Sequence, residues 1–233
     1  MKTIILCGGK GTRLRELTEE IPKPLVEIGG KPILWHIMKI YESNGFKDFV
    51  LALGYKGDMI RDYFAENEDG WNIEFAETGA ETNTGGRIKR AEKYIGEGEF
   101  MATYGDGLAS INIRALIEQH RKSGKMATIT CVKPKSRFGI VEIDEKSIIR
   151  NFSEKPVLPY WVNGGFFVFK KKVFDFIGEN DVLENEVFEK LAAMNEISAY
   201  KFSGFWDCMD TFKEMQALNE LWNSGKAAWK VWK

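Results

Sequence analysis

Three glycines and two basic residues stand near the beginning of the chain, after a short apolar run. The glycines, within residues 8–11, let backbone N–H groups approach an anion, because no Cβ atom stands in the way. Arg13 adds a planar charged fork that matches phosphate oxygens, and Lys23 adds a second cation between two prolines that stiffen the backbone. This combination predicts a loop that binds a triphosphate.

Two common phosphate-binding motifs do not fit this stretch. The dinucleotide fingerprint G-x-G-x-x-G matches two of the loop glycines but requires a third glycine where the chain has Leu14. The Walker A motif requires Ser or Thr after Gly30-Lys31, where the chain has Pro32. Leu14, together with the arginine in the loop, therefore disfavours an NAD-linked oxidoreductase.

Two aspartates are candidates for metal binding. Asp106 lies between two glycines after an apolar run, in YGDG, and Asp210 ends the run FWDCMD. A carboxylate at a strand end could hold a hard cation such as Mg²⁺, which takes one or two carboxylates together with phosphate oxygens. Asp106 could instead satisfy the amides of a turn, and Asp210 could be a helix N-cap. The residues alone leave both alternatives open.

The apolar pattern alternates between strands and helices in the first half of the chain, which predicts right-handed crossovers and a parallel sheet. A later run of short strands predicts a mixed second half. The glycine loop and Asp106 then fall at the carboxyl ends of strands, where such sheets bind ligands. The predicted strands cover residues 2–7, 48–53, 71–77, 100–104, 126–132, 138–143, 148–153, 166–169 and 197–202, and the predicted helices cover residues 32–44, 57–65, 86–95, 112–123, 171–177, 184–194 and 210–223.

Composition narrows the class of protein. With 233 residues, 44% of them hydrophobic and 29% charged, the chain fits one domain with a substantial core. A net charge of −1 gives no reason to expect nucleic acid or an anionic membrane as a partner. No apolar run is long enough to cross a membrane and no signal peptide is recognisable, so a cytoplasmic location is expected. Cys7, Cys131 and Cys208 form no C-x-x-C pair and are expected to be free thiols.

A family resemblance rests on these motifs. The run GGKGTRL at residues 8–14, followed by Lys23-Pro24-Leu25, resembles the signature of the sugar-1-phosphate nucleotidyltransferases. The continuation VEIGGKPILWHIM at residues 26–38 is most similar to the glucose-1-phosphate cytidylyltransferase branch, and the similarity extends to GKAAWK at residues 225–230. It implies an α/β fold with a Rossmann-like, mixed but mostly parallel sheet flanked by helices. It also implies a single domain over residues 1–233, divided into a nucleotide-binding half, about 1–110, and an acceptor-binding half, about 111–233.

The activity that the resemblance implies is transfer of a cytidylyl group from CTP to a small phosphorylated acceptor, above all glucose 1-phosphate, with Mg²⁺ as cofactor. Asp106 and Asp210 match the metal-binding aspartates of the family, and Arg13, Lys23 and Lys155 match its catalytic cations. The implied nucleotide-binding residues are Leu6, Gly8, Gly9, Gly11, Thr12, Arg13, Thr84, Gly86, Arg87 and Asp106.

Residues 154–156 (EKP) and 163–165 (NGG) resemble the acceptor site of the family. In the family, the lysine of the first motif meets the acceptor phosphate, its glutamate meets sugar hydroxyls, and the second motif forms the sugar-binding turn. From the residues alone, 154–156 could also be a solvated charged loop. The candidate acceptor-binding residues are Tyr104, Glu154, Lys155, Trp161, Asn163 and Gly164.

The choice of base centres on residues 84–87 (TGGR), which stand where thymidylyl and uridylyl enzymes of the family carry a Gly-Leu-Ala run. Cytosine presents an acceptor at N3, where uracil and thymine present an N–H donor. An arginine that donates there would favour cytosine, since uracil would leave a buried polar group unpaired. We hypothesise that Arg87 selects CTP; alternatively, it opens an exposed helix beside Lys89 and Arg90.

Other functions remain open at this stage. A related enzyme could use UTP or dTTP, or another sugar phosphate or non-sugar phosphate as acceptor. A domain that only binds nucleotide-sugars could regulate another protein. Such a domain should have lost some of the charged residues that match the family's site, but all five are present: Arg13, Lys23, Asp106, Lys155 and Asp210. Asp207-Cys208 and residues 157–162 depart from the family pattern beside the acceptor site. The resemblance implies a homo-oligomer, although residues 64–84 are short compared with the segment that builds neighbouring subunits' sites in the cytidylyltransferases.

Overall fold

The computed structural model of this protein describes residues 1–65 and 69–232. The strands, in chain order, are β1 Thr3–Leu6, β2 Glu27–Ile28, β3 Lys31–Pro32, β4 Asp48–Leu53, β5 Asn72–Glu77, β6 Glu99–Tyr104, β7 Gly107–Ala109, β8 Ala127–Val132, β9 Ile140–Ile143, β10 Ile149–Ser153, β11 Val162–Lys170, β12 Ile197–Lys201 and β13 Trp206–Cys208. The α-helices are α1 Arg15–Thr18, α2 Ile33–Ser43, α3 Gly57–Ala65, α4 Thr84–Arg90, α5 Ile113–Ser123, α6 Phe188–Ala193 and α7 Phe212–Asn223.

A mixed sheet of seven described strands forms the centre, in the order β12-β8-β11-β6-β1-β4-β5. Strands β6, β1, β4 and β5 run parallel to one another, and β12 is parallel to β8. Strand β11 runs antiparallel to both β6 and β8. The expected α/β architecture is therefore confirmed, including the change from a parallel first half to a mixed second half.

Helices cover both faces of this sheet, so its central strands are apolar on both sides. All four residues of β1 and five of the six residues of β4 are buried. Because successive side chains of a strand point to opposite faces, Ile5 belongs to one apolar cluster and Ile4 to the other. Continuous apolar runs of this kind are typical of parallel strands covered on both faces, which is why sequence located them well.

Local signals set several helix boundaries. Helix α5 begins after Asn112, whose side chain accepts a hydrogen bond of 3.0 Å from Ala115 N, and it ends at Gly124 with φ of 68°. Helix α7 begins after Thr211, which forms a capping box with Glu214. Both helices lie within two residues of their predicted bounds.

Some predicted elements differ from those observed. The helix predicted over residues 86–95 is α4 followed by a 3₁₀ turn, Glu92–Tyr94, and residues 171–177 form a 3₁₀ helix, Lys171–Phe176. The helix predicted over 184–194 begins as a π-helical segment, Leu183–Val187, before α6. The pairing of β7 with β13 was not predicted, because two three-residue strands carry no recognisable period.

The antiparallel pair β9 and β10 stands apart from the central sheet. Its apolar side chains face solvent: Ile143 and Phe152 are each 62% exposed, and the neighbouring Phe138 is 77% exposed. Monomeric soluble proteins rarely expose a contiguous apolar surface of this kind. We refer to residues 138–153 as the exposed hairpin.

Among the described residues, no helix combines the length and apolar character needed to cross a bilayer.

Candidate active site

The glycine loop begins where β1 reaches the carboxyl edge of the sheet. Cys7 N still donates to Ala52 O at 3.0 Å, and the chain then leaves the sheet. At Gly11, φ is +62°, and a Cβ atom would lie 2.9 Å from Cγ2 of Thr18. A glycine is therefore required at residue 11 for both its backbone conformation and its close packing.

Lys23 lies between two carboxylates. Its Nζ donates to Asp106 Oδ2 at 2.6 Å and to Asp210 Oδ1 at 2.8 Å. Burial alone would lower the pKa of Lys23, but the charges and hydrogen bonds of Asp106 and Asp210 raise it above its ordinary value. Burial would raise the pKa of Asp210, but Lys23 and then Arg13 hold it below its ordinary value. Lys23 and Asp210 are therefore both charged at neutral pH.

Arg13 completes the set by donating from Nη1 to Oδ2 of Asp210. Its side chain remains 70% exposed, whereas that of Lys23 is 12% exposed. The structure thus brings together Arg13, Lys23, Asp106 and Asp210, four residues predicted from widely separated parts of the chain.

Two short elements deliver the aspartates to the same point. Asp106 follows β6 and precedes β7, and β7 pairs with β13, which precedes Asp210. Met209 N donates to Asp106 O at 3.0 Å, which joins the two segments at their ends. Glu214 accepts from Asp210 N at 2.9 Å, so the capping box of α7 also orients the second aspartate. The N-cap itself is Thr211, not Asp210.

A cavity of about 410 Å³ lies above the glycine loop. Its walls hold the charged set on one side and residues of α4 on the other. Of the predicted nucleotide-binding residues, Leu6, Gly8, Gly9, Gly11, Thr12, Arg13, Thr84, Arg87 and Asp106 line the cavity. Gly86 faces away, since a Cβ atom there would lie 2.3 Å from Glu179 O.

Arg87 lies beneath the loop and is only 4% exposed, so it does not open an exposed helix. Its Nη2 donates to Gly8 O at 2.9 Å and to Ala80 O at 3.1 Å. Its Nη1 donates to Gly79 O and to Thr78 Oγ1, both at 2.8 Å. Burial lowers the pKa of Arg87, but an arginine remains charged at neutral pH. Its terminal nitrogens thus hold the glycine loop, and a direct bond to cytosine would compete with these contacts.

A second cavity of about 290 Å³ adjoins the first and shares Arg13, Asp106 and Asp210 with it. Its wall includes Tyr104 and Asn163, and Asn163 Nδ2 donates to the Tyr104 hydroxyl at 3.0 Å. Asn163 Oδ1 accepts from Gly165 N at 2.9 Å, so the NGG motif is a turn fixed by its own amide side chain. Tyr104, Asn163 and Gly164 therefore lie together, as predicted for an acceptor site.

Lys155 and Trp161 lie in a neighbouring groove of about 850 Å³. The groove meets the second cavity at Trp206 and Cys208 and also contains Asp207. Burial raises the pKa of Asp207, and raises that of Cys208 to about 12. Glu154 pairs with Lys155 at 3.5 Å, and the side chains of both residues are more than half exposed. The 154–156 motif thus stands beside the second cavity, not within its wall.

The donor set allows a test of the expected metal. No group of three or more His, Cys, Asp or Glu side chains in the described part of the chain is arranged to hold a metal ion. Asp106 and Asp210 nevertheless converge on one point, which Lys23 Nζ occupies. Mg²⁺ suits such a pair, because it commonly takes one or two carboxylates and completes its shell with phosphate oxygens and water. The residues therefore fit a divalent cation that binds together with phosphate.

Two residues of the site were missed in the sequence. Glu184 accepts from Thr84 Oγ1 at 2.8 Å and from the Tyr104 hydroxyl. Burial, followed by the charge of Glu184, raises the pKa of Tyr104. Trp206 Nε1 donates to Gly164 O at 2.8 Å and so holds the NGG turn. Trp206 stands close to Asp210 in sequence, which is a usable signal, whereas Glu184 lies in an ordinary acidic run.

Known proteins resemble this chain over its whole length. The nucleotidyl transferase family matches residues 2–222. A Bacillus subtilis (strain 168) protein named "Probable glucose-1-phosphate cytidylyltransferase" is 45% identical over 255 residues, covering 100% of both chains. The Salmonella typhi glucose-1-phosphate cytidylyltransferase is 44% identical over 258 residues, again covering 100% of both.

A solved structure agrees with the fold. The structure of HddC from Yersinia pseudotuberculosis, complexed with GMP-PN, has a TM-score of 0.75 and 27% identity, and the match covers 95% of this chain and 99% of that one.

Proposed function

The chain belongs to the nucleotidyl transferase family, and on that premise we propose that it transfers the cytidylyl group of CTP to glucose 1-phosphate, yielding CDP-glucose and pyrophosphate. Identity of 44% to 45% over full length with proteins named as glucose-1-phosphate cytidylyltransferases supports this substrate pair. The observation that carries the proposal is the convergence of Arg13, Lys23, Asp106 and Asp210 beside the glycine loop.

In the proposed reaction, a phosphate oxygen of glucose 1-phosphate attacks the α-phosphorus of CTP in line. A new phosphorus–oxygen bond forms as the bond to the bridging oxygen breaks, and pyrophosphate takes the electron pair. A phosphate monoester is already anionic near neutral pH, so the protein needs no general base. Its task is to position the reactants and to neutralise charge.

The cations of the site divide this task. The glycine-loop amides and Arg13 would hold the β- and γ-phosphates, since both face the 410 Å³ cavity. Lys23 would neutralise charge at the α-phosphate. The acceptor would lie in the 290 Å³ cavity against Tyr104 and Asn163, and Lys155 would present its phosphate from the adjoining groove.

Members of this family generally use a divalent metal, and we propose Mg²⁺ here, held by Asp106 and Asp210. Bound Mg²⁺ would polarise the reacting phosphoryl group and neutralise the charge that develops on it.

For the choice of base, Arg87 is proposed to act through the loop that it holds. Its contacts with Gly8, Gly79 and Ala80 fix the backbone around the cavity. A direct bond from Arg87 to cytosine remains a hypothesis, and it would require the guanidinium to release part of these contacts. If Arg87 does not select cytosine, the alternative is that the enzyme uses UTP or dTTP.

Further proposals concern the whole protein. Residues 1–233 would act as one domain whose two halves, about 1–110 and 111–233, bind nucleotide and acceptor. A homo-oligomer is supported by the exposed hairpin. The alignments are longer than this chain, so the relatives contain segments that it lacks. Residues 66–68, inside the short 64–84 segment, lie outside the described residues. A cytoplasmic location is consistent with Cys7, Cys131 and Cys208 all being free thiols.

One observation favours a second acceptor. Asp207 lies in the groove that contains Lys155, and Cys208 lies where that groove meets the second cavity. Both residues depart from the pattern of the family that the sequence resembles. A different phosphorylated small molecule could extend from the cavity into that groove.

The test is pyrophosphate release with Mg²⁺, measured for four nucleoside triphosphates against sugar 1-phosphates and other phosphates. We expect release with CTP and glucose 1-phosphate, and a loss of at least about 100-fold in Asp106→Asn. Release with CTP and a different phosphate would show that this phosphate, not glucose 1-phosphate, is the acceptor. If no pair of substrates gave release, the protein would be assigned as a domain that binds nucleotide-sugars without catalysis.

A further inference from the structure

Lys23 and Arg13 occupy oxygens of the aspartate pair, Asp106 and Asp210. Lys23 Nζ lies 2.6 Å from Asp106 Oδ2 and 2.8 Å from Asp210 Oδ1, and Arg13 binds the other oxygen of Asp210. Protein cations therefore contact three of the four carboxylate oxygens. The position between the two carboxylates, which would hold a bound cation, is taken by the ammonium group of Lys23.

A divalent cation cannot share this position with the lysine. At such short separations two positive groups repel each other strongly in a partly buried site. The backbone of the lysine is also held in place, so that only its side chain can turn, because Lys23 belongs to a 3₁₀ turn, Lys23–Leu25, that begins after Pro22 and is buried at Pro24 and Leu25. Solvent alone gives the ammonium no comparable partner, so a metal ion must compete against two ion pairs.

A triphosphate changes this competition. Arg13 and Lys23 both line the 410 Å³ cavity and can turn towards phosphate oxygens. Each would exchange a carboxylate for an equally charged phosphate partner, so neither cation is left unpaired. The released carboxylates, Asp106 and Asp210, would then face the same phosphates and a metal bound to them.

We propose that Lys23 and Arg13 act as place-holders, which close the aspartate pair to divalent cations until a triphosphate draws them away. Metal then enters with the nucleotide, not before it. The proposal rests on the proposed function in naming the triphosphate as the displacing ligand and Asp106 and Asp210 as the metal ligands. The exclusion of metal from the nucleotide-free protein stands on the geometry of the four side chains.

The test uses Mn²⁺, titrated into the full-length protein without nucleotide and followed by the electron paramagnetic resonance signal of the unbound ion. Wild type should bind no Mn²⁺ at this site in the micromolar range. Lys23→Met, which keeps a side chain of similar length without charge, should bind at least ten times more tightly. Adding Asp106→Asn to Lys23→Met should abolish the gain, which assigns it to the aspartate pair.

Two further variants serve as controls. Lys10→Met removes an exposed lysine that pairs with Glu81 at 2.6 Å, and it should leave Mn²⁺ binding as in wild type. Arg13→Met removes the more exposed partner and should give a smaller gain than Lys23→Met, which keeps the test available if the latter fails to fold. Circular dichroism spectra identify the folded variants.

Several results of these Mn²⁺ titrations would contradict the place-holder proposal. Wild type that binds Mn²⁺ at the aspartate pair without nucleotide, or folded variants that show no gain, would overturn the place-holder proposal. Because CTP itself binds Mn²⁺, the signal of the unbound ion should fall further with wild-type protein and CTP together than with CTP alone, and an equal fall would also count against the proposal. Pyrophosphate release is a separate measurement, so loss of the proposed function would leave the metal result for the nucleotide-free protein intact.

Discussion

At the scale of single residues, Arg87 shows how a buried cation can organise a loop. Among the residues that the structure describes, no carboxylate lies within hydrogen-bond distance of this side chain, and its main partners are peptide carbonyls from three segments of the chain. A charged donor shared among several carbonyls satisfies the guanidinium while it fixes their relative positions. The sequence motif predicted a contact between Arg87 and the base, but the carbonyl partners of this side chain could not be predicted from sequence.

The first prediction concerns a substitution that removes this guanidinium group. In Arg87→Leu, the carbonyls of Gly79 and Ala80 lose a charged donor, and a hydrogen bond to a charged group contributes about 1.5–3 kcal/mol. Both residues are exposed, so water replaces part of this contribution. We expect the free energy of unfolding to fall by about 2–4 kcal/mol, measured by urea denaturation without nucleotide. The CTP-to-UTP preference, measured in the same variant, decides the other role: an unchanged ratio would rule out direct reading of the base.

The second prediction concerns the contact between Arg87 and the loop from the other side. A Cβ atom at Gly8 would lie 1.9 Å from Arg87 Nη1, whereas at Gly9 it would meet nothing within 4 Å. Gly8→Ala should therefore displace the guanidinium and lower the thermal stability of the nucleotide-free protein. Gly9→Ala is the matched control and should match wild type, so equal melting temperatures for all three proteins would contradict this account.

At the scale of elements, the start of α7 connects stability to the site. Thr211 accepts from Glu214 N at 3.3 Å, and Glu214 in turn accepts from the backbone N–H groups of Asp210 and Thr211. The same cap that begins the helix therefore positions an aspartate of the site.

The third prediction tests this cap. Thr211→Ala should lower the free energy of unfolding by about 1 kcal/mol, whereas Thr211→Ser keeps the hydroxyl and should lose only a few tenths. Urea denaturation of the three proteins measures both values. A loss in Thr211→Ser as large as that in Thr211→Ala would show that the methyl group, not the hydroxyl, matters.

Helix α2 contains a histidine whose neutral form is built into the fold. His36 Nε2 donates to Ile28 O at 2.8 Å, while His36 Nδ1 accepts from Trp229 Nε1 at 3.4 Å. Burial lowers the pKa of His36 to about 4, against an opposing contribution from its backbone hydrogen bonds. Between pH 6.5 and 4 the unfolded chain therefore binds a proton that the folded protein does not.

The fourth prediction follows from the sign of this shift. Because the unfolded state binds more protons there, the contribution of His36 to stability falls as the pH decreases, by up to about 1.4 kcal/mol per pH unit. We expect His36→Gln to be less stable than wild type at pH 7.5 but to lose less further stability between pH 6.5 and 5. Urea denaturation across this range checks it, and parallel pH profiles would exclude the role of His36. His120, whose pKa is also lowered by burial, is present in both proteins.

At the scale of the whole molecule, the sequence predicted what depends on local period and missed what depends on distant contacts. Strands β1 and β4 and helices α3 and α5 are long or strongly patterned, and the structure has them within two residues of prediction. The β7–β13 pair is invisible locally, because each strand acquires its conformation only from the other.

The site divides in the same way. Its charged residues could be identified by type and by resemblance, but the position of Lys23 between two carboxylates could not, since it depends on segments almost 200 residues apart. Glu184 and the groove that contains Lys155 depend likewise on tertiary contacts.

The fifth prediction concerns assembly. Val141, Ile143 and Phe152 share one face of the exposed hairpin, since Phe152 is opposite Val141 in the antiparallel register. If this face joins copies of the chain, Ile143→Glu with Phe152→Glu should shift the protein to monomers in size-exclusion chromatography with light scattering. Glu142→Gln, on the other face of β9, is the control and should assemble as wild type. A monomeric wild-type protein would contradict the prediction.

Because β7 pairs with β13, the site is complete only after a late segment of the chain has been synthesised. On a ribosome, a nascent chain that has reached residue 200 already contains most strands of the central sheet, together with Arg13, Lys23 and Asp106. Asp210 and the helix that positions it are still to be made, and translation proceeds at about 5–20 residues per second. A growing chain can therefore form most of its central sheet before its aspartate pair, whereas Met209, Leu218 and Trp229 of the core arrive together with or after Asp210. The proposed capacity to bind metal and triphosphate together thus arises only after most of the sheet has been made.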